Sequence, residues 1–484
     1  MPVSFTVPLL VNGEHKISAS TFPVNSPLSH KPLWSCSSAL STDVDAAVAS
    51  ASAAFPGWAK TKPAARRTIL LKAADLFEAR AADLKATMMQ ETGAPEMFAA
   101  FNVRTIAEII RDTAGRCSAI MGSIPICQDE GTGALVLKEP YGVVLGIAPW
   151  NAPYILGTRA ALFPLAAGNT CILKGSELSP RCFHHIGCIF ADAGLPPGAL
   201  NILYTPREES PAITAQLINA AAVKKVNFTG STAIGSLIAA AAGRALKPCL
   251  MELGGKAAAI VLDDADVERA AMQCAAGAFL HAGQICMSTE RILVHKAVLD
   301  AFRPALLRAV AGFAGPNGPA PVLVQGAAVV RNRALVADAL GKGATLLHGD
   351  HAAEETHPET GAPSETRLRP LVVEGVTSEM TMYREESFGP SVSLIAVADE
   401  EEAIAVANDV YGLNSAVFTR DLARGLRVAK RLECGSVHIN GMTVHDEATL
   451  PHGGVKNSGW GRFNGQWGLD EFLHVKTISY QLGD

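Results

Sequence analysis

Short apolar runs alternate with helix-length segments through the middle of the chain. The pattern predicts strands at 143–147, 170–173, 200–203 and 223–228, and helices at 153–167, 180–193 and 213–220. Strands separated by helices at this spacing form βαβ units, which predicts a doubly wound parallel sheet. A second α/β segment begins near residues 257–262 and extends past residue 430.

The two ends of the chain follow other patterns. Alanine-rich segments predict helices from residue 42 to 55, from 63 to about 90 and from 98 to 118. Pro63 suits a first helical turn, and Gly93 suits a helix end. Residues 118–140 alternate Ile, Val and Leu with glycines, which predicts a β-hairpin. Residues 476–482 are typical of a single strand, which could pair with that hairpin.

Composition and charge narrow the class of protein. The 484 residues carry 41 basic and 46 acidic side chains, a formal net charge of −5, and the absence of basic runs argues against a nucleic-acid partner. Charged residues make up 18%, below the roughly 25% of soluble domains, which favours burial between domains or subunits. No segment approaches the ~18 apolar residues of a membrane helix. With no secretory signal pattern and ten cysteines lacking CxxC spacing, we expect free thiols and a cytoplasmic protein.

The usual dinucleotide fingerprint GxGxxG is absent, so a nucleotide would bind at other strand-to-helix junctions. Three junctions qualify: residues 228–235 (FTGSTAIG), residues 174–177 (KGSE) and the turn around Asn151. Glycines beside a helix N-terminus suit a phosphate, and a Lys and a Glu at the carboxyl edge of a parallel sheet lie where ligands bind. A capped glycine turn, a solvated Lys–Glu turn and an asparagine turn are the alternatives.

Two residues have the surroundings of reactive groups. Glu252 lies between Leu and a glycine pair; apolar surroundings predict a raised pKa and suit a general base, although pairing with Lys256 is the alternative. Cys286 follows a glycine that ends a helix, and a cysteine at the start of a helix can be a thiolate, whereas most lone cysteines are buried hydrophobic residues.

A cluster of Cys and His residues on one predicted helix does not have the pattern of a metal site. Its members are Cys182, His184, His185 and Cys188. No single helix face collects all four side chains as tetrahedral ligands. We therefore expect a packed helix at this position and no metal.

Taken together, the motifs resemble those of the NAD(P)-dependent aldehyde dehydrogenase superfamily over nearly the whole chain. The matching segments are PWN at 149–151, KGSE at 174–177, FTGSTAIG at 228–235, ELGGK at 252–256, GQICM at 283–287, ESFGP at 386–390 and a GxGR-like segment at 459–462. Within the superfamily, residues 445–463 most resemble the salicylaldehyde and vanillin type of aromatic aldehyde dehydrogenase.

The resemblance implies an α/β fold with three parts. A variant Rossmann domain that binds NAD would comprise residues 1–117 and 141–254, and a catalytic α/β domain residues 255–471. A small β element at 118–140 and 472–484 would carry oligomerisation to a homodimer or homotetramer.

The resemblance also implies roles for individual residues. Cys286 matches the nucleophile, Glu252 the general base and Asn151 the donor to the oxyanion. We expect NAD as the cofactor, rather than NADP, because Glu177 would repel a 2′-phosphate on the adenosine ribose. The implied cofactor-binding residues are Trp150, Lys174, Ser176, Glu177, Pro211, Gly230, Ser231, Gly235, Leu253, Glu386 and Phe388.

The implied reaction is the oxidation of an aldehyde, of the hydroxybenzaldehyde kind, to the carboxylic acid through a cysteine thiohemiacetal and a thioester. An aliphatic aldehyde or a semialdehyde is an alternative substrate. Acylation of CoA is a less favoured reaction, because it needs no base such as Glu252 to activate water. A non-catalytic binding protein on the same fold is the third possibility.

Candidate substrate contacts follow from their position relative to Asn151 and Cys286; they are Tyr154, Arg159, Leu280 and His445. Arg159 lies about two helical turns after Asn151, so both can face one side of a helix. An arginine in an apolar tunnel needs a partner, either a phenol oxygen of the substrate or a carboxylate of the protein.

Two departures from the family pattern affect the expected substrate range more than the chemistry. His452 stands where the family has phenylalanine, before the glycine pair of the late motif. Residues 312–325, rich in Gly and Pro, lack the family's common acidic turn and are shorter.

Overall fold

A parallel sheet forms the centre of the first half of the chain. The computed structural model describes residues 5–314, 318–358 and 360–481. Within them, the strand order of this first sheet is Gly459–Trp460, Cys249–Glu252, Val223–Thr229, Val143–Ile147, Thr170–Lys174, Leu200–Leu203, Leu9–Val11 and Glu14–Lys16. The strands from 249–252 to 200–203 run parallel. The predicted doubly wound sheet is therefore confirmed.

Helices cover both faces of the first sheet. They are Ser41–Ala59, Pro63–Ala79, Ala81–Thr92, Glu96–Arg116, Pro153–Ala167, Pro180–Ala193, Ser210–Asn219 and Thr232–Arg244. The single helix predicted from 63 to about 90 is wrong, because the backbone leaves helical geometry at Arg80 (φ −99°, ψ 11°) and a second helix begins. Gly93 ends that helix in the left-handed region, as predicted, with φ 70°. A small sheet of Thr6–Val7, Pro32–Ser37 and Thr21–Asn25 lies near the amino terminus.

A second, largely parallel sheet forms the other half. Its described strands have the order Thr345–His348, Leu371–Glu374, Ser391–Val397, Thr289–His295, Ala257–Val261, Asn414–Phe418 and Ser436–Ile439. The accompanying helices are Val267–Phe279, Lys296–Val310, Gly326–Gly341, Thr381–Arg384, Glu400–Ala407 and Leu422–Ala429. The helix Gly465–Asp470 packs instead against Glu96–Arg116 and Pro153–Ala167 of the first half. Short 3₁₀ turns lie at Cys117–Ala119, Leu280–Gly283 and Lys456–Ser458. No helix in the described part of the chain is long and apolar enough to cross a membrane.

A two-stranded ribbon joins the two remote segments that the sequence analysis singled out. Thr132–Pro140 pairs antiparallel with Leu473–Gln481 along its whole length. The hairpin predicted within 118–140 is wrong: its first arm touches the ribbon only through a bridge between Ser123 and Val136. Pro125, two residues after Ser123, lacks the N–H that a continuing ladder needs. Residues 482–484 of the predicted element lie outside the described residues.

Candidate active site

A cavity of about 210 Å³ opens where the two sheets meet. In the first sheet, Val143–Ile147 and Val223–Thr229 are neighbours from which the chain winds towards opposite edges, and the carboxyl side of such a switch point is where ligands bind. The cavity is lined by Pro149, Trp150, Asn151, Leu156, Thr229, Gly230, Ser231, Glu252, Leu253, Gly254, Cys286, Arg331, Glu386 and Phe388. The three residues predicted to be catalytic therefore share one cavity.

The loop that carries Cys286 is held by a buried glutamine. Gln284 donates from its side-chain amide to the carbonyls of His281 and Val322, both at 3.1 Å, and accepts from the backbone N–H of Val324 at 2.9 Å. Cys286 follows the 3₁₀ turn Leu280–Gly283 and precedes a strand, so it does not lie at a helix start as predicted. Of the region 312–325, residues 322–324 hold this loop, whereas residues 315–317 lie outside the described residues.

The thiol of Cys286 contacts the carboxylate of Glu252, with 3.2 Å between Sγ and Oε1. Burial raises the pKa of the thiol well above its ordinary value, and the negative charge of Glu252 raises it further. The thiolate expected from the sequence is therefore not the resting form. Cys286 is a protonated donor that already points at a proton acceptor.

Glu252 is held as a carboxylate, contrary to the raised pKa predicted from its apolar neighbours. Burial opposes ionisation, but His452, whose Nε2 lies 3.4 Å from Oε1, Arg159 and the Cys286 thiol together lower the pKa of Glu252 below its ordinary value. The second oxygen, Oε2, accepts no hydrogen bond from any residue that the structure describes, which leaves an acceptor for a water molecule.

Asn151 lies across the cavity, buried and fixed through its side chain. Its Nδ2 donates to the carbonyl of Gln284 at 3.0 Å. An amide nitrogen carries two protons, so one remains for an oxygen atom bound near Cys286. The same glutamine thus positions both the thiol loop and the amide.

The opposite wall is braced by a buried ion pair. Lys256 Nζ lies 2.7 Å from Glu290 Oε2, so Lys256 pairs with this carboxylate rather than with Glu252. The other oxygen of Glu290 accepts from Ser387 N at 2.9 Å, Ser387 Oγ at 2.8 Å and Phe388 N at 3.2 Å. The pair therefore fixes the loop that presents Glu386 and Phe388 to the cavity.

Glu386 completes that wall. Its Oε1 accepts the backbone N–H of Gly255 at 2.8 Å, and burial raises its pKa to about 7. A Cβ on Gly255 would lie 2.6 Å from the carbonyl oxygen of Cys286, so the glycine permits the close approach of the two loops. The ring of Phe388 meets that of Trp150 edge to face, with 6.1 Å between centroids.

The predicted cofactor residues fall into two groups. Six line the cavity: Trp150, Gly230, Ser231, Leu253, Glu386 and Phe388. Ser231 caps the helix Thr232–Arg244, its Oγ accepting from the N–H of Ile234 at 3.5 Å. The other five are outside the cavity lining: Lys174, Ser176, Glu177, Pro211 and Gly235.

These five residues have different surroundings. Lys174 ends the neighbouring strand, and burial lowers its pKa while the charge of Glu177 opposes that shift. Ser176 Oγ lies 3.4 Å from Glu177 Oε2. Pro211 is in the first turn of the helix Ser210–Asn219. Gly235 packs against Leu253, whose Cδ2 would lie 2.3 Å from an added Cβ, so Gly235 supports the wall rather than lining it.

Two of the predicted substrate contacts, Tyr154 and Arg159, do not line the cavity and have partners within the protein. Tyr154 is fully buried, and its phenol donates to the carbonyl of Leu84 at 2.9 Å, which makes it part of the core. Arg159 forms an ion pair with Asp446, because a buried guanidinium needs a permanent counter-charge, and a protein carboxylate supplies it. Asn464 donates to the other oxygen of Asp446 at 2.8 Å.

Leu280 and His445 do not line the cavity either. Leu280 is half-buried in the 3₁₀ turn, and His445 is exposed with its Nε2 2.8 Å from Glu447 Oε1. Sequence reasoning missed Leu156 and Arg331, which do line it. Leu156 had a signal, since it lies on the helix that follows Asn151. Arg331, which donates to the backbone carbonyl of Glu386, is remote in sequence and had none.

Two groups of potential metal ligands are present among the described residues. One is His15, His184 and Cys188, the other Glu252, Cys286 and His452. The first group includes His15, which lies on the edge strand Glu14–Lys16. The spacing of residues along the helix could not show that His15 belongs to this group. Of the cluster considered in the sequence, Cys182 is a core residue and His185 lies 3.3 Å from the Tyr154 hydroxyl.

Comparison with known proteins identifies the family. The aldehyde dehydrogenase family profile matches residues 15–478. Vanillin dehydrogenase of Pseudomonas sp. strain HR199 is 44% identical over 488 residues, spanning 99% of this chain and 98% of the relative. Salicylaldehyde dehydrogenase of Pseudomonas putida is 40% identical over 469 residues, spanning 95% of each. The crystal structure of a salicylaldehyde dehydrogenase from Pseudomonas putida G7 with salicylaldehyde has a TM-score of 0.93 and 38% identity, covering 99% of this chain and 98% of that one. The chain therefore belongs to the aldehyde dehydrogenase family and is an oxidoreductase.

Proposed function

We propose that this enzyme oxidises a hydroxylated aromatic aldehyde to the carboxylic acid with NAD, through a thiohemiacetal and a thioester on Cys286. The observation that carries the proposal is the contact of 3.2 Å between the Cys286 thiol and the Glu252 carboxylate, in a cavity that Asn151 also lines.

The first step uses that contact. As Cys286 Sγ attacks the aldehyde carbon, its proton passes to Glu252, and the carbonyl oxygen becomes an oxyanion. The free proton of the Asn151 amide is available to that oxygen, and one such donor contributes about 3 kcal/mol in comparable sites. Because the thiol keeps its proton in the resting enzyme, the nucleophile forms only as the substrate arrives.

The second step needs a base and a leaving group. When bound, the nicotinamide supplies the hydride acceptor that converts the thiohemiacetal into a thioester. After Glu252 has released the thiol proton to solvent, it takes a proton from water, the hydroxide adds to the thioester carbon, and the Cys286 sulfur leaves as the acid forms. Arg159 and His452 contribute by stabilising the carboxylate form of Glu252.

The residues present fit a dinucleotide. Ser231 and the start of the helix Thr232–Arg244 offer the environment that suits a pyrophosphate. Phe388 and Trp150 offer apolar surfaces to a nicotinamide ring. We propose NAD rather than NADP because Glu177, at the end of the neighbouring strand, would accept from ribose hydroxyls and repel a 2′-phosphate.

An aromatic substrate is supported by two observations. The relatives at 40–44% identity are named for vanillin and salicylaldehyde. In this chain the cavity is lined by apolar and aromatic side chains, among them Leu156 and Trp150. Because Arg159 is paired with Asp446, we do not propose that Arg159 binds a phenol oxygen of the substrate. His445 and Leu280 stay predicted contacts.

We further propose that different segments of the chain have different roles. Residues 1–117 and 141–254 bind the cofactor, residues 255–471 carry the nucleophile, and the segments 118–140 and 472–484, which include the ribbon, join subunits of a homodimer or homotetramer. The ribbon supports this because an isolated two-stranded sheet is marginal and its edges invite pairing. Ten free cysteines support a cytoplasmic location.

A panel of aldehydes with each cofactor tests the proposal. Hydroxybenzaldehydes should exceed acetaldehyde and hexanal in kcat/KM, and NAD should exceed NADP. Glu177→Ser should narrow the cofactor preference, whereas Glu447→Gln, an exposed control, should leave it unchanged. A preference for hexanal would contradict the aromatic assignment, and equal kcat/KM for both cofactors would contradict the role of Glu177.

A further inference from the structure

The residue that departs from the family pattern lies beside the proposed nucleophile and base. His452 Nε2 is 3.4 Å from Glu252 Oε1, and Cys286 Sγ is 3.2 Å from the same oxygen, with all three ligand atoms within 4.8 Å of one another. Around a tetrahedral zinc ion, with Zn–S near 2.3 Å and Zn–N or Zn–O near 2.0 Å, neighbouring ligand atoms are roughly 3.3–3.5 Å apart. The two separations from Glu252 are close to those of a zinc site, and the third, between Cys286 and His452, stays within 4.8 Å.

We propose that Cys286, Glu252 and His452 bind Zn²⁺, and that the bound metal inhibits the enzyme by occupying the nucleophile and the base together. The inhibition rests on the proposed roles of Cys286 and Glu252, whereas the binding rests only on the geometry. Cys286 and Glu252 line the cavity, which gives the ion a path of entry and leaves its fourth position for water.

The charges of the group favour a divalent cation. On binding, the Cys286 thiol releases its proton to solvent and a sulfur–zinc bond forms, with no change of oxidation state. The thiolate and the Glu252 carboxylate then balance the two charges of Zn²⁺, while His452 binds as a neutral imidazole. The nearby positive charge, Arg159, is paired with Asp446, and Glu386 is a further carboxyl group that acts on Cys286.

The position of His452 is fixed, so metal binding at this site should depend on its side chain. Its backbone is fixed by two hydrogen bonds with Phe463, at 3.0 and 2.8 Å, and its side chain is 5% exposed. The phenylalanine of the family pattern has no atom that binds zinc. The chain therefore gains a third ligand at a position where the family pattern has none.

The second group of ligands provides an internal control. His184 Nε2 lies 3.1 Å from His15 Nδ1 and 3.6 Å from Cys188 Sγ, away from the cavity. It contains no carboxylate, and one of its members, His15, lies on an exposed edge strand. His184→Ala removes this group and leaves the cavity untouched.

The experiment compares Zn²⁺ inhibition of the full-length parent, His452→Phe and His184→Ala, each relative to its own uninhibited rate of aldehyde-dependent NADH formation. His452→Phe should weaken inhibition at least about tenfold, because loss of even an outer-shell partner of a metal ligand lowers metal affinity by about that much, and His184→Ala should not change it. Equal inhibition of the parent and His452→Phe, or its loss in His184→Ala, would overturn the proposal.

A second readout needs neither aldehyde nor NAD. Co²⁺ added to the parent should give a thiolate-to-cobalt absorption band in the near ultraviolet, which Cys286→Ser and His452→Phe should lose and His184→Ala should retain. A band that survives in His452→Phe would also overturn the proposal. A band in a protein that oxidises no aldehyde would support the metal site and refute the proposed function, so the two failures are distinguishable.

Discussion

The two large sheets have the same kind of topology but opposite relations to the cavity. Each is doubly wound about a switch point, between 143–147 and 223–229 in the first sheet and between 257–261 and 414–418 in the second. The same rule places a ligand site at the carboxyl side of both. Only at the first switch point do the residues that follow the strands line the cavity described above.

The second switch point is closed by side chains. Asp264 accepts from the Thr419 hydroxyl at 2.7 and 2.9 Å and from the N–H groups of Arg420 and Asp421. Arg424 lies 3.2 Å from the Asp264 carboxylate and also pairs with Glu400. At this switch point, charged side chains of the described residues therefore pair with one another rather than facing an open cavity.

The second sheet contributes to the cavity through its opposite, amino edge. Cys286 comes shortly before Thr289–His295, and Glu386 and Phe388 come shortly before Ser391–Val397. The cavity thus combines the carboxyl edge of one sheet with the amino edge of the other. The topology of a sheet therefore locates a ligand site only where the loops at the switch point leave a cavity between them.

The largest effect is expected from a comparison of Cys286, at the amino edge of the second sheet, with Asp264, at its carboxyl edge. Cys286→Ala should lower kcat by at least about 10³-fold, because no other described thiol lines the cavity. Asp264→Asn, at the closed switch point, should leave kcat unchanged. Steady-state rates of both variants check this, and a large loss of kcat in Asp264→Asn would break the comparison.

Asn151 tests the open edge of the first sheet. Asn151→Ala should lower kcat about 10²–10³-fold, since it removes a donor to the developing oxyanion while the thiol stays in place. Alkylation of Cys286 by iodoacetamide serves as the control and should proceed as in the parent. A fall in alkylation matching the fall in kcat would mean that Asn151 merely supports the loop.

Lys256 tests the brace at the amino edge. Lys256→Ala leaves Glu290 buried without its partner, so the free energy of unfolding should fall by about 3–5 kcal/mol and the KM for NAD should rise as the Phe388 loop loosens. Lys138→Ala, which breaks a half-exposed pair with Asp470, should cost less than about 1 kcal/mol. Denaturant titrations measure both, and equal losses would contradict the brace.

The smallest effect is expected for the loss of stability in Asp264→Asn, and that loss should depend on pH. Burial opposes ionisation of Asp264, but the Thr419 hydroxyl, two backbone amides and Arg424 hold its pKa below the ordinary value. Its contribution is therefore present above the ordinary pKa of an aspartate and is lost as pH falls through the lowered one. Asp264→Asn should reduce stability by about 1–3 kcal/mol at neutral pH, with a smaller difference in acid; a difference independent of pH would contradict this.

The sequence predicted the carboxyl edge of the first sheet better than the amino edge of the second sheet. The apolar runs gave the first sheet, because its parallel strands are buried on both faces and its motifs directly follow them. Glycine and proline positions gave several helix limits, such as Pro153–Ala167 and Pro180–Ala193. The break at Arg80 has no such marker and was missed.

What the sequence could not predict depends on partners remote along the chain. Arg159 and its counter-ion Asp446 are 287 positions apart, so their pairing was only one of two possibilities. The pKa of Glu252 was predicted in the wrong direction because His452 and Arg159 are remote in sequence. Neighbours in the sequence indicate whether an ionisable group is buried. The charges that offset its burial lie far away in the sequence and are brought close only by the fold.

The central claim is that Glu252 acts as the base for hydrolysis and Cys286 as the nucleophile. Rapid mixing of Glu252→Gln with NAD and aldehyde tests it most directly, because hydride transfer precedes hydrolysis. Because Glu252 also takes the thiol proton, the burst in Glu252→Gln should be slower than in the parent, but it should still reach up to about one NADH per active site before a much slower phase. Glu447→Gln should cycle like the parent. Steady turnover of Glu252→Gln at the parental rate would contradict the account.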